Sequence, residues 1–147
     1  PPLVDVPVPF KRRVTVLAHG SECRLVEAAL RLAKDGLVEL PAHFDFVLGM
    51  PGGMGGSEAH LDFIAGLIPT GSTWSVAGIG RFEMPLARHA IGKGGHVRVG
   101  LEDNLYLHKG VLAKGSHELV AHVAAMAADA GRPLASVAQA RELLRLA

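Results

Sequence analysis

The feature that most constrains this chain is an alternation. Short apolar runs and amphipathic segments take turns four times, at roughly 30 residues per pair. VTVLAHG is β-branched and closes on Gly20, and HFDFVLGM, TWSVAGIG and HVRVGLED are the other strand-like runs. Between the first two, SECRLVEAALRLAKDG sets Leu25, Ala28, Ala29 and Leu32 on one helical face, with Ser21 as its starting cap and Gly36 as its stop. A second helix opens at Ser57 and runs to Pro69, and a third covers MPLARHAIGKG with Pro85 in its first turn. Two more are expected from about Ser116 to Ala130 and from Ser136 to Leu146. The proline-rich opening, residues 1–12, reads as an extended lead-in. Strands alternating with helices at this spacing make βαβ units and a parallel sheet buried on both faces. Four units are half of a (β/α)8, TIM-like barrel, which needs about 250 residues. A small doubly wound, flavodoxin-like sheet is the competing α/β architecture, and periodicity does not separate the two.

Composition removes whole classes of function. The 147 residues are 49% hydrophobic and 20% charged, and the length suits one domain with a sizeable core. A formal charge of +1 gives no reason to expect nucleic acid as partner. No stretch approaches the roughly 20 apolar residues that span a bilayer, so no membrane partner is expected. The single cysteine, Cys23, forms no internal disulfide, and a reducing cytoplasm is the expected compartment. A Pro-Pro start without methionine fits a fragment or processed piece.

In parallel α/β folds the chemistry lies where strands end. Here those ends are His19-Gly20, Gly49 to Gly53, Gly78 to Arg81, and Arg98 to Asn104. PGGMGG lacks the Lys-Ser/Thr of a P-loop, and GIGR lacks the third glycine of a dinucleotide fingerprint. His19 is the best isolated metal-ligand candidate. The helical and loop histidines, His60, His89, His108, His117 and His122, read as bland. The fourth run is different. In HVRVG the polar members share one face, and an inward Arg98 is costly unless it meets a carboxylate or an anionic substrate. Glu102 and Asp103 stand just beyond it, at the mouth. This set could serve as metal ligand, base and charge partner, or simply as an ion-pair network that shapes the loop.

GIGRFEMPLARHAIGKGGHVRVGLEDNLYLHKGVLA, then ELV and AQARELL, resembles the β-keto acid cleavage enzymes, among them the 3-keto-5-aminohexanoate cleavage enzymes. HFDFVLGMPGG is similar to that family too, so the resemblance covers most of the chain after about residue 20. It implies a TIM-like barrel of which this chain, residues 1–147, supplies the last four βα units, its C-terminal half. It implies Zn2+ held by an H-x-H motif on an early strand and by Glu102, with Arg98 and Asp103 as catalytic residues. The implied reaction takes a β-keto acid and acetyl-CoA to acetoacetate and a new acyl-CoA. The implied partners are those small molecules and either a second copy or a missing N-terminal half. Three departures stand out: there is no H-x-H, the first strand reads VTVLAHGSEC where the family carries a glutamate and a Phe-Asp pair, and Gly115-Ser116 replaces Ser-Asn. The rival from another class is a truncated or degenerate half-barrel acting as a non-catalytic partner subunit.

Overall fold

A computed structural model describes residues 15–19 and 22–144. The lead-in, the expected caps Gly20 and Ser21, and the last three residues lie outside this range, as does the side chain of His19. The sheet holds four parallel strands: β1 (Thr15–His19), β2 (His43–Leu48), β3 (Thr73–Gly78) and β4 (His96–Val97). Each is joined to the next by a helix: α1 (Glu22–Lys34), α2 (Glu58–Ala65) and α3 (Glu83–Gly92). A 3-10 turn at Gly80–Phe82 leads into α3. A hairpin of β5 (Tyr106–His108) and β6 (Val111–Leu112) follows, then α4 (Ser116–Asp129) and α5 (Val137–Leu143).

The strands are paired in chain order, β1-β2-β3-β4, without a reversal. A doubly wound, flavodoxin-like sheet needs a reversal, the point at which its helices change face. Here the connecting helices α1, α2 and α3 keep to one face. Phe44, Phe46 and Leu48 of β2 and Val76 of β3 point the same way and bury against Val26 and Ala29 of α1, Leu61 and Ile64 of α2, and Leu86 and Ala90 of α3. The period of two then sends His43, Asp45, Thr73, Ser75 and His96 to the opposite face, away from α1, α2 and α3. A singly wound parallel sheet with its helices outside has the layer order of a barrel wall.

Local chemistry accounts for most element ends. Ser57 caps α2 by accepting the His60 backbone N–H, and Ser136 forms a capping box with Gln139 on α5. α1 closes in a Schellman motif, with Gly36 at φ 74° and the N–H groups of Gly36 and Leu37 bonded to Ala33 and Leu32 carbonyls.

Four expectations are corrected. The buried stripe of α1 centres on Val26 and Ala29, and Leu32 is exposed, because the sheet-facing line is rotated from the one first drawn. α2 stops at Ala65 with Gly66 as its cap, well before Pro69. The ladder of the fourth strand covers only His96 and Val97, since the Arg98 N–H still bonds the Val76 carbonyl but Gly100 to Asn104 turn back on themselves. The loop beyond it contains the β5–β6 hairpin, closed at Lys109-Gly110 with Gly110 at φ 82°.

Candidate active site

The site is built around one arginine. From the end of β4, Arg98 reaches inward across the sheet, and its Nη1 donates to Asp45 Oδ2 at 3.2 Å. Its Nη2 donates to Asp103 Oδ1 at 3.3 Å and to Glu102 Oε1. Asp45 and Asp103 are buried, whereas the Glu102 side chain is 75% exposed at the rim. Burial alone would weaken the guanidinium's hold on its proton. The charges of Asp103, Asp45 and Glu102 outweigh that and raise its pKa, so Arg98 stays charged.

The loop carrying Glu102 and Asp103 is held from beneath by Glu83, in the first turn of α3 and only 1% exposed. Its two oxygens accept from the Gly100 backbone N–H at 3.2 Å and from Asn104 Nδ2 at 2.9 Å. Asn104 in turn bonds the Tyr106 backbone in both directions, at 2.7 and 3.1 Å. Desolvation pushes the Glu83 carboxyl above the usual carboxylate range, against the hydrogen bonds from Asn104 and Gly100, and the nearby Asp103 charge adds to the rise. Two further bonds fix the turn. The Gly80 N–H reaches the Asp103 carbonyl at 2.7 Å, and Ser116 Oγ accepts the Leu101 N–H at 3.2 Å. Gly78 lets the start of α3, which carries Glu83, close on the end of β3, since a Cβ there would lie 2.5 Å from the Phe82 carbonyl oxygen. The Gly115-Ser116 departure therefore falls on the support of the Glu102 loop.

Behind Arg98 the polar face of the sheet carries a second layer. Ser75 donates to Asp45 Oδ1, and the two are register partners on β2 and β3. His43 contacts Ser75 Oγ through Nε2 at 3.1 Å and Thr73 Oγ1 through Nδ1 at 2.8 Å. With His96 and Arg98 these residues line a cavity of about 440 Å3 whose far side is formed by α5. Burial lowers the pKa of both histidines, helped by His96 for His43 and by Arg132 for His96, while Asp45 pulls His43 the other way. The folded state therefore prefers both rings neutral. That preference stabilises the fold above the ordinary imidazole value of about 6.5 and is lost as pH falls through the lower folded values. Melting temperature should accordingly fall on acidification through this range, and the fall should be shallower in His43→Gln. An identical slope in the variant would show that His43 is solvated.

The structure thus brings Arg98, Glu102 and Asp103 into direct contact. Sequence reasoning missed Asp45 and Glu83. A lone acid inside the apolar run HFDFVL was the available signal for Asp45, since it must be paired to be buried. His60 and His89 are not idle: His60 joins the Ser57 cap, and His89 bridges Glu58 and Asp62. Among the described residues no group of three His, Cys, Asp or Glu side chains could hold a metal ion. Glu102 is the one expected ligand present, and its exposed carboxylate suits a donor shared with residues from elsewhere. Nor, among the described residues, is any helix long and apolar enough to cross a membrane.

A singly wound βα sheet with its charged cluster at the carboxyl ends of the strands has the site layout of barrel-type α/β proteins. The model of the beta-keto acid cleavage enzyme family matches residues 18–146, and the chain belongs to that family. It is 47% identical over 120 residues to a 3-keto-5-aminohexanoate cleavage enzyme of Acetoanaerobium sticklandii, covering 82% of this chain and 44% of the relative. It is 48% identical over 122 residues to one from Fusobacterium nucleatum, covering 83% and 44%. A 3-oxoadipate:acetyl-CoA acetyltransferase of Cupriavidus necator is 40% identical over 126 residues, again covering 83% and 44%. The chain spans about half the length of these relatives.

Proposed function

We propose that this chain is the C-terminal half of a (β/α)8 β-keto acid cleavage enzyme, which moves the acyl group of a β-keto acid onto CoA and forms acetoacetate. The carrying observation is Arg98 braced by Asp45, Asp103 and Glu102 at the strand ends of a chain in this family. In the net reaction the bond between C2 and C3 of the keto acid breaks. The acyl fragment leaves on the CoA sulfur, and the acetyl group of acetyl-CoA bonds to the C2 fragment, so atoms balance. Asp103 moves the proton at carbon, and its burial beside the Arg98 guanidinium sets its position. Arg98 orients Asp103 and offers positive charge to the substrate carboxylate. Zinc would be held by Glu102 with histidines from outside the described residues, and when bound would polarise the keto oxygen. Cytoplasmic location belongs to the same reading.

Supplying a panel of β-keto acids with acetyl-CoA to the natively purified protein tests this. Acetoacetate should appear only when both substrates are present. Its absence across the panel would favour a non-catalytic partner subunit. The half-barrel also makes an assembly prediction. Among the described residues β1 and β4 are the edge strands of the sheet, and α5 is the element that covers its polar face. The chain should sediment with a second copy or a complementary half, and a compact, cooperative monomer at micromolar concentration would contradict the half-barrel.

A further inference from the structure

The structure assigns Asp45 as the positioning residue of Arg98, itself held by a one-way hydrogen-bond chain from Thr73 through His43 and Ser75. This deepens the proposed reading and rests on it only for the kinetic arm of the test. The direction of the chain follows from donors and acceptors. Ser75 spends its only proton on Asp45 Oδ1, so its oxygen must accept from His43, which makes Nε2 the protonated nitrogen. Nδ1 of the neutral ring then accepts from the Thr73 hydroxyl at 2.8 Å. The lowered pKa of His43 agrees with that neutral tautomer. The other Asp45 oxygen, Oδ2, takes Nη1 of Arg98 and leaves Nη2 for Asp103 and Glu102.

Strand register makes the chain possible. His43 lies opposite Thr73 and Asp45 opposite Ser75, all on one face, so two links join register partners and the third, His43 to Ser75, runs diagonally between the same two parallel strands. Without Asp45 the guanidinium has no anchor on the sheet side. The only contacts left to it among those described would be with Asp103 and the exposed Glu102, both from one loop. Arg98 bonds Asp45 on one side and Asp103 and Glu102 on the other, so Asp45 acts on the loop through the arginine.

The test uses the natively purified protein and nitrogen-15 NMR of the Arg98 guanidinium, assigned by its loss in Arg98→Lys. In the native protein, bonds on both sides should hinder rotation and give resolved Nη signals. Asp45→Asn should merge or broaden them and lower kcat by roughly 10²-fold, the cost of misplacing a reacting group, with KM within about threefold. Asp45→Glu should restore part of both. Ser75→Ala leaves every charge in place and should move the spectrum the same way by less, which keeps the test decisive if Asp45→Asn does not fold. A merely structural role would reduce the folded fraction and leave the spectrum of folded molecules as it was. Unchanged Arg98 signals in Asp45→Asn, or in Ser75→Ala should the former not fold, would overturn the assignment. A native protein that makes no acetoacetate would refute the proposed function, while the spectra would still decide the role of Asp45.

Discussion

Arg98→Ala is expected to abolish turnover and to cost on the order of 3 kcal/mol of stability, because it leaves the buried carboxylates Asp45 and Asp103 without their shared cation. The partial exposure of Arg98 places the expected loss at the lower end of the range for broken buried pairs. Arg98→Lys separates the two effects. A lysine restores the charge, and with it most of the stability. As a point charge it cannot bond Asp45 with one nitrogen and Asp103 with another, so turnover should stay low. Chemical denaturation and steady-state kinetics on both variants check this. A lysine variant with near-native kcat would show that charge alone is needed, and the fork geometry would then have no catalytic meaning.

The second large effect separates two neighbours. Asp103→Asn should lower kcat by about 10²- to 10⁴-fold, the usual worth of a positioned acid or base, with bound zinc unchanged. The substitution is mild in every other respect. The backbone carbonyl of residue 103 still accepts from Gly80, and an asparagine oxygen can still accept from Arg98 Nη2. Glu102→Gln should instead lose zinc and turnover together if its exposed carboxylate is the zinc ligand, as proposed. Metal analysis beside kinetics distinguishes the outcomes. Near-native turnover in Asp103→Asn would remove the proton-carrying role from that residue.

Much of this was legible in the sequence, for a physical reason. Arg98, Glu102 and Asp103 lie within one strand-to-loop segment, so strand periodicity and nearness in the chain already put them at one mouth. The strand and helix succession was equally local, carried by Ser57, Gly36 and Ser136 at element ends. Asp45 was legible only as a lone acid in an apolar run that needed a partner, and that partner, an arginine 53 residues away, was not. Glu83 hid for another reason: an acid in the first turn of a helix normally just complements the helix dipole, and its burial under Gly100 and Asn104 is a tertiary fact. The β5–β6 hairpin did have a signal in the Lys-Gly turn between LYL and VLA, which the long family-like run obscured. Strand order spoke against the doubly wound alternative that periodicity left open, because the face the connecting helices take depends on pairing and not on local pattern.

The most direct test follows carbon. Acetyl-CoA carrying carbon-13 at both acetyl carbons, given to the natively purified protein with a β-keto acid, should yield acetoacetate with the label at its methyl and keto carbons. The new acyl-CoA should be unlabelled, its acyl group coming entirely from the keto acid. Mass spectrometry of both products reads this in one experiment. Label recovered only in CoA thioesters, with no labelled acetoacetate, would contradict the assignment of this chain to β-keto acid cleavage chemistry.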